Sequence, residues 1–261
     1  MSDNIYCYPA STVLKNKLNI TDKYKLFEAE KELTAIRLKE LQDVPIEGEY
    51  DFNHLKAIHK YIFQDIYEWA GQERKVEIGK GNLFCTIACI PEFAISVFDK
   101  YYPQCYQNRN RRDDFIRVLA DNYGDLNALH PFREGNGRTQ REFARIVCMS
   151  CGYEFNLSCT THQEMLNASV LSFDKGDSSG FIDIFKKAIV PYCEETASNM
   201  EKLNILTADD LLIDIQEHYD YYGYNEHIQS EIYDNIYKAK ISKMNAEKII
   251  SDAYAEIKKE T

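Results

Sequence analysis

Nowhere does the 261-residue chain carry an apolar run approaching the 18 residues of a membrane-spanning helix, and its opening stretch, MSDNIYCYPAS, lacks a secretory pattern. A soluble, cytoplasmic protein that binds no membrane is expected. Positive charge is in deficit too: 31 Lys and Arg face 42 Asp and Glu, and a formal charge of −11 argues against broad attraction to nucleic acid or anionic lipid. The local cluster Arg109-Asn110-Arg111-Arg112 reads as a solvated turn. Glycine and proline number 11 and 6 and build no linker, so the expectation is one sizeable domain with an appendage. Eight cysteines are scattered through a chain long enough to need no staples, which suits a reducing compartment. Cys148-x-x-Cys151 has no second Cys/His pair at metal spacing and falls in a predicted helix, so both read as buried thiols.

What the chain has instead is one stretch crowded with chemistry, His130-Pro131-Phe132-Arg133-Glu134-Gly135-Asn136-Gly137-Arg138-Thr139-Gln140-Arg141. Upstream, Phe115, Val118, Leu119, Tyr123, Leu126 and Leu129 recur at three- and four-residue spacing, which predicts a helix over 113–129 with His130 at its C-terminal end. Downstream, Phe143, Ile146, Val147 and Ser150 predict a helix over 139–151, stopped by Gly152. The loop therefore feeds a helix N-terminus, where unpartnered amides and the positive end of the dipole attract anions. Gly135 and Gly137 let the backbone approach a ligand oxygen, and Arg138 and Arg141 can each fork onto two oxygens, a set that fits a polyphosphate. Glu134 in so basic a nest suits Mg²⁺, and His130, titrating near neutrality, suits a general base. Singly, such a His is more often structural and such a Glu a salt bridge; together within twelve residues they are hard to explain as packing.

Around this loop the chain reads as scaffold. Residues 1–19 are irregular; Thr21-Asp22 caps a helix to about Leu41; Asn53 caps another carrying Leu55, Ile58, Ile62, Phe63 and Ile66 down to Trp69, with Gly71 as its stop. His54 and His59 on that helix read as structural. Over 74–88 the helical period breaks, and Val76, Ile78, Phe84, Thr86 and Ile87 around Gly79-Lys80-Gly81-Asn82 predict a hairpin with an exposed edge fit for an extended peptide. Helices are expected over 91–102, 161–173 and 179–192. From Asn204 a C-terminal helical extension is expected, with Tyr-rich 219–237 as a packing surface.

The twelve-residue stretch resembles the signature of Fic-domain proteins, His-x-Phe-x-(Asp/Glu)-Gly-Asn-Gly-Arg-x-x-Arg, and matches every fixed position. The likeness extends through LKAIHKYIFQDIYEWAG (Leu55–Gly71), Arg74 and the flap-like segment Lys80–Phe84, covering 20–195 and leaving 196–261 as the extension. It implies an all-α Fic fold with one β-hairpin flap, and transfer of AMP from ATP to a Ser, Thr or Tyr hydroxyl of a target protein. His130 would be the base; Glu134 would hold Mg²⁺; Gly135, Asn136, Gly137, Arg138 and Arg141 would bind the phosphates; Phe132 would anchor the loop. Lys80, Gly81, Asn82, Leu83 and Phe84 would dock the target, and Asn167 and Asp177 would stand near the nucleotide. Family members with an internal inhibitory helix carry (Ser/Thr)-x-x-x-Glu-(Gly/Asn). Here Glu47-Gly48 follows Asp43 and Pro45, and Thr160-x-x-x-Glu164 precedes Met165, so a separate antitoxin-like protein would have to supply the glutamate that meets Arg141. The residues alone reach only a Mg²⁺-polyphosphate site with a His base. Kinase or phosphocholine transfer on the same fold, and a non-enzymatic ATP-gated interaction module, stay open, as do the target and the oligomeric state.

Overall fold

Polar caps and apolar stripes set the helices. The computed structural model describes residues 3–80 and 82–192; flap residue Gly81 and the extension expected over 196–261 lie outside the described residues. In chain order come α1 (Lys23–Asp43), α2 (Phe52–Phe63), β1 (Gly79–Lys80), β2 (Asn82–Leu83), a 3₁₀ turn (Ile87–Cys89), α3 (Ile90–Asn108), α4 (Arg112–Leu129), α5 (Asn136–Ser150), β3 (Tyr153–Phe155), α6 (His162–Lys175), α7 (Ser179–Ala188) and β4 (Ile189–Pro191). The architecture is all-α with a small hairpin, as expected.

Several boundaries differ, each for a physical reason. Helix α2 is capped by Asp51, whose side chain accepts from the His54 amide, so Asn53 lies inside the first turn. It also stops at Phe63 rather than Trp69. The amides of Ile66 and Tyr67 both turn back to the Phe63 carbonyl at 3.1 and 3.0 Å, and Ile66 and Tyr67 are buried as a tight turn that Gly71 closes at φ +79°. Helix α7 ends at Ala188 because Pro191 disfavours helical backbone at Val190. The freed residues pair antiparallel with β3, Glu154 against Val190.

The core lies where α2, α3, α4 and α5 meet. Leu55, Ile58, Ile62 and Phe63 from α2, Phe115, Leu119, Leu126 and Leu129 from α4, and Phe143 and Val147 from α5 are all fully buried. Phe98 and Tyr101 of α3 meet the Phe143 ring edge-on at 5.5 and 5.2 Å. At about 1.5–3 kcal/mol per buried side chain, this packing fixes the ends of α4 and α5 on which the loop 130–135 hangs. The irregular N-terminal segment is tied to that loop: Asp3 pairs with Arg133 at 2.6 Å, and the Lys75 amide donates to the Tyr6 hydroxyl at 3.0 Å.

Candidate active site

His130 is the C-terminal cap of α4 and sits in the left-handed region, φ 42° and ψ 60°. Such a conformation costs a non-glycine residue about 1–3 kcal/mol and persists only where its surroundings enforce it. They do: the His130 amide bonds to Leu126, and its carbonyl accepts from Arg74 Nε at 2.9 Å. Its Nδ1 lies 3.1 Å from the carbonyl oxygen of Asn127. A carbonyl can only accept, so Nδ1 carries a hydrogen, and in the neutral ring the lone pair falls on Nε2. That is the tautomer a base needs.

The loop that follows is held from within and from below. Phe132 is buried, and its amide and carbonyl are both taken by the Asn136 side chain, at 2.9 and 2.8 Å. Asn136 therefore closes the loop as a staple. Its side-chain amide, expected near phosphate, is here spent on the Phe132 main chain. Gly135 precedes α5 at φ +79°, and a Cβ there would stand 2.1 Å from Phe63 Cζ, so the position excludes a side chain twice over. Having none, Gly135 offers no cap to the amides that open α5. Gly137 lies in the first turn of α5, because the helix begins at Asn136, three residues before the expected Thr139.

Beneath the loop lies His59 of α2. Its Nδ1 accepts from the Gly71 amide at 2.8 Å, its Nε2 faces the Glu134 carbonyl at 3.0 Å, and its ring stacks on Phe132 at 3.9 Å. The Glu134 carboxylate, one-third exposed, accepts from the Gly135 amide at 2.9 Å. It stands 3.9 Å from Arg138. The Arg138 guanidinium, expected to face a phosphate, is turned inward instead: it pairs with Glu30 at 2.5 Å and donates to Thr34 at 3.1 Å, both on α1. Glu30 also accepts from the Tyr67 hydroxyl, and Glu30 and Arg138 are 2 and 4% exposed. A buried cation needs such a partner, and α1 supplies it. Arg141 lies one turn further along α5, itself buried.

The flap is a short hairpin, with Gly79 opposite Leu83 and Lys80 opposite Asn82, extended by the Phe84 amide donating to Ile78 at 3.2 Å. Thr86 and Ile87 have left the hairpin: the strand ends at Leu83, and Thr86 leads into the 3₁₀ turn. Phe84 lies flat on the His130 imidazole, centroids 3.7 Å apart and planes 9° from parallel. Phe173 of α6 packs against its edge at 5.5 Å. The flap and His130 are thus in contact. Asn167 and Asp177 are occupied locally, by Gln163 and by the Ser179 amide. Cys148 and Cys151 are buried free thiols, and burial pushes both up, which makes them inert.

The structure therefore gathers His130, Glu134, Gly135 and the head of α5 on one loop, with Phe84 stacked on His130. His59 is structural, as expected, with the Glu134 carbonyl as its partner, while sequence reasoning missed the parts that Glu30 and Arg74 play in holding the loop. Only His59 and Arg74 carried a signal, lying in the stretch that resembles the family.

A left-handed histidine and a helix N-terminus without a side-chain cap share one glycine-sharpened loop in this helical domain, an arrangement suited to binding an anion beside an imidazole. The chain belongs to the Fic/DOC family, whose model matches residues 49–148. It is 38% identical over 169 residues to the probable protein adenylyltransferase y4lH of Sinorhizobium fredii, covering 64% of this chain and 86% of that one. It is 32% identical to the probable protein adenylyltransferase Fic of Escherichia coli, covering 70 and 91%. To protein adenylyltransferase VbhT of Bartonella schoenbuchensis it is 38% identical, spanning only 36% of that longer protein. Among solved structures, the N-terminal Fic domain of a Bartonella quintana VirB-translocated effector, with bound ADP, superposes at TM-score 0.67 and 26% identity over 74% of this chain and 97% of that one. The same fold appears in BepC of Bartonella tribocorum, at TM-score 0.67 and 24% identity over 72 and 97%.

Proposed function

We infer that this chain is a protein adenylyltransferase that moves AMP from ATP to a hydroxyl of a target protein. The observation that carries the reading is the placing of His130: its Nδ1 stands 3.1 Å from the Asn127 carbonyl, a contact that makes Nε2 the basic nitrogen of the neutral ring, in the turn that leads to the head of α5, where no side chain caps the amides. Relatives named protein adenylyltransferases and an ADP-bound family structure support it.

The incoming hydroxyl gives its proton to His130 Nε2 as its oxygen attacks the α-phosphorus, and the bond to the β-phosphate oxygen breaks with pyrophosphate as the leaving group. Amides at the head of α5 meet the charge that develops on the phosphate oxygens. Asn136 and Arg138 serve this step by holding the loop, and Arg141 takes the terminal phosphate. Flap residues Lys80–Phe84 hold the target strand.

A divalent cation fits the donor set. Glu134 offers an oxygen ligand on the open side of the loop, one-third exposed, and Mg²⁺ is commonly held by one or two carboxylates with substrate phosphates. When bound, it would neutralise charge on the phosphate oxygens.

Control is proposed to act in trans. Glu164, the only residue near the inhibitory pattern in α6, is spent on a capping box with Thr161 and on Lys187 at 3.3 Å, and the Thr161 amide holds its carboxyl below the usual range. A separate antitoxin-like protein would then bring a glutamate to Arg141. No helix among the described residues is long and apolar enough to cross a membrane, and the seven described cysteines are free, which supports a reducing cytosol as the site of action. The test is incubation with α-labelled ATP and lysate, followed by mass spectrometry of the labelled band for added AMP. Label on the γ-phosphate alone would favour a kinase.

A further inference from the structure

The flap is too small to stand by itself. Two residue pairs and one extra hydrogen bond make a hairpin that water would melt, since even longer isolated hairpins are marginal. Yet its second leg must keep Phe84 within 3.7 Å of the His130 ring. Something other than strand pairing sets that height.

We propose that Arg74 is a positioning residue that latches both legs of the flap to the turn carrying His130. Its side chain is fully buried. Nε donates to the His130 carbonyl at 2.9 Å, Nη1 to the Val76 carbonyl at 3.0 Å on the first leg, and Nη2 to the Cys85 carbonyl on the second. The Arg74 amide adds a bond to the Pro131 carbonyl at 2.9 Å. One planar cation thus takes carbonyls from three segments, and Cys85 is the residue after Phe84. Glu77 completes the latch, accepting from Arg74 at 3.3 Å and from the Ile87 amide at 3.1 Å, across the two legs. The Cys85 amide in turn donates to Ala128 of α4 at 3.0 Å.

The chemistry requires a guanidinium. Its donors lie in one plane at fixed angles, whereas a lysine ammonium is a compact point charge that would satisfy one or two of these carbonyls and leave the rest buried without a donor. The consequence for His130 is direct. Its carbonyl is held by Arg74 Nε, so the left-handed φ of 42° depends on a residue 56 positions upstream. If Arg74 lets go, the imidazole and Phe84 lose their common reference, while the head of α5, held by Asn136, Gly135 and Glu30, keeps its place.

This inference rests on the adenylyl-transfer reading for one of its readouts only. Arg74→Ala, Arg74→Lys and Glu77→Gln are to be made in the full chain and assayed for AMP transfer, ATP affinity, and amide exchange at Phe84 and Cys85. Misplacing a reacting group by about 1 Å costs about 10²-fold in rate, so Arg74→Ala is expected to lose transfer on that scale with ATP affinity kept. Millimolar guanidinium should restore part of the rate by filling the vacated site. Arg74→Lys and Glu77→Gln should fall between, and exchange at Phe84 and Cys85 should quicken in all three. Wild-type transfer in Arg74→Ala, loss of ATP affinity in step with rate, or no recovery with guanidinium would overturn the proposal. If Arg74→Ala fails to fold, Arg74→Lys decides: unchanged rate and exchange would sink the latch. If the wild-type chain transfers no AMP, the functional reading falls, while amide exchange still tests the latch.

Discussion

His59 and Glu134, 75 residues apart, are joined by a hydrogen bond of 3.0 Å from the imidazole Nε2 to the main-chain oxygen of the glutamate. The direction is fixed by the other nitrogen. Nδ1 accepts from the Gly71 amide, so it carries no hydrogen, and the ring is neutral with its proton on Nε2. Burial, aided by the nearby Arg138 charge and opposed by the Glu134 carbonyl, pushes the His59 pKa from 6.5 down to about 3. Burial disfavours the charge, and Nδ1 has no room for a second proton.

A pH signature follows. With a folded pKa of about 3 against 6.5 unfolded, the unfolded chain binds the extra proton first as pH falls. The contribution of His59 to stability is therefore full above pH 6.5 and lost progressively towards about pH 3. Denaturant midpoints measured across that window should fall more steeply for the wild type than for His59→Gln. Parallel slopes would mean that His59 is not held neutral.

Gly135 is predicted to tolerate no side chain. Gly135→Ala sets a Cβ 2.1 Å from Phe63 Cζ and adds about 1–2 kcal/mol of left-handed backbone cost. Stability and ATP affinity should both drop, and adding Phe63→Leu should recover part of the loss. A double-mutant cycle with no coupling between the two positions would contradict the contact.

The buried pair of Glu30 and Arg138 should be costly to break. Glu30→Gln removes the 2.5 Å partner of a guanidinium that is 4% exposed and leaves the Glu134 carboxylate more distant, at 3.9 Å, a loss expected to reach about 3–5 kcal/mol. Thermal and urea unfolding of the variant measure it. A loss below about 1 kcal/mol would class the pair with surface ion pairs.

Glu164→Gly separates a capping role from an inhibitory one. Removing the capping box of α6 should cost about 1 kcal/mol of stability and leave AMP transfer unchanged. A large rise in transfer would place an inhibitor inside the chain and remove the need for a partner.

How far the chain could be read without its structure depended on what each feature needed. Helix α4 was plain because Phe115, Leu119, Leu126 and Leu129 repeat on one face and are all fully buried. The head of α5 was not, because Asn136 and Gly137 have the composition of a turn, and only the bonds from Asn136 to Phe132 show that they open the helix. The partners of the loop were beyond reach: Glu30 meets Arg138 across 108 residues, His59 meets Glu134 across 75, and Arg74 meets His130 across 56. Periodicity registers one face of one element, and a pairing between elements exists only once they are packed.

The central claim is that His130 takes a proton from a target hydroxyl while AMP is transferred. Single-turnover incubation of wild-type and His130→Ala protein with ATP labelled at the α- or the γ-phosphate tests it most directly, with ATP binding measured in parallel. The account predicts that α-label enters target protein with release of pyrophosphate, that γ-label does not, and that His130→Ala lowers the rate by about 10²–10⁴ while ATP still binds. Incorporation of γ-label, or a His130→Ala rate close to wild type, would contradict it.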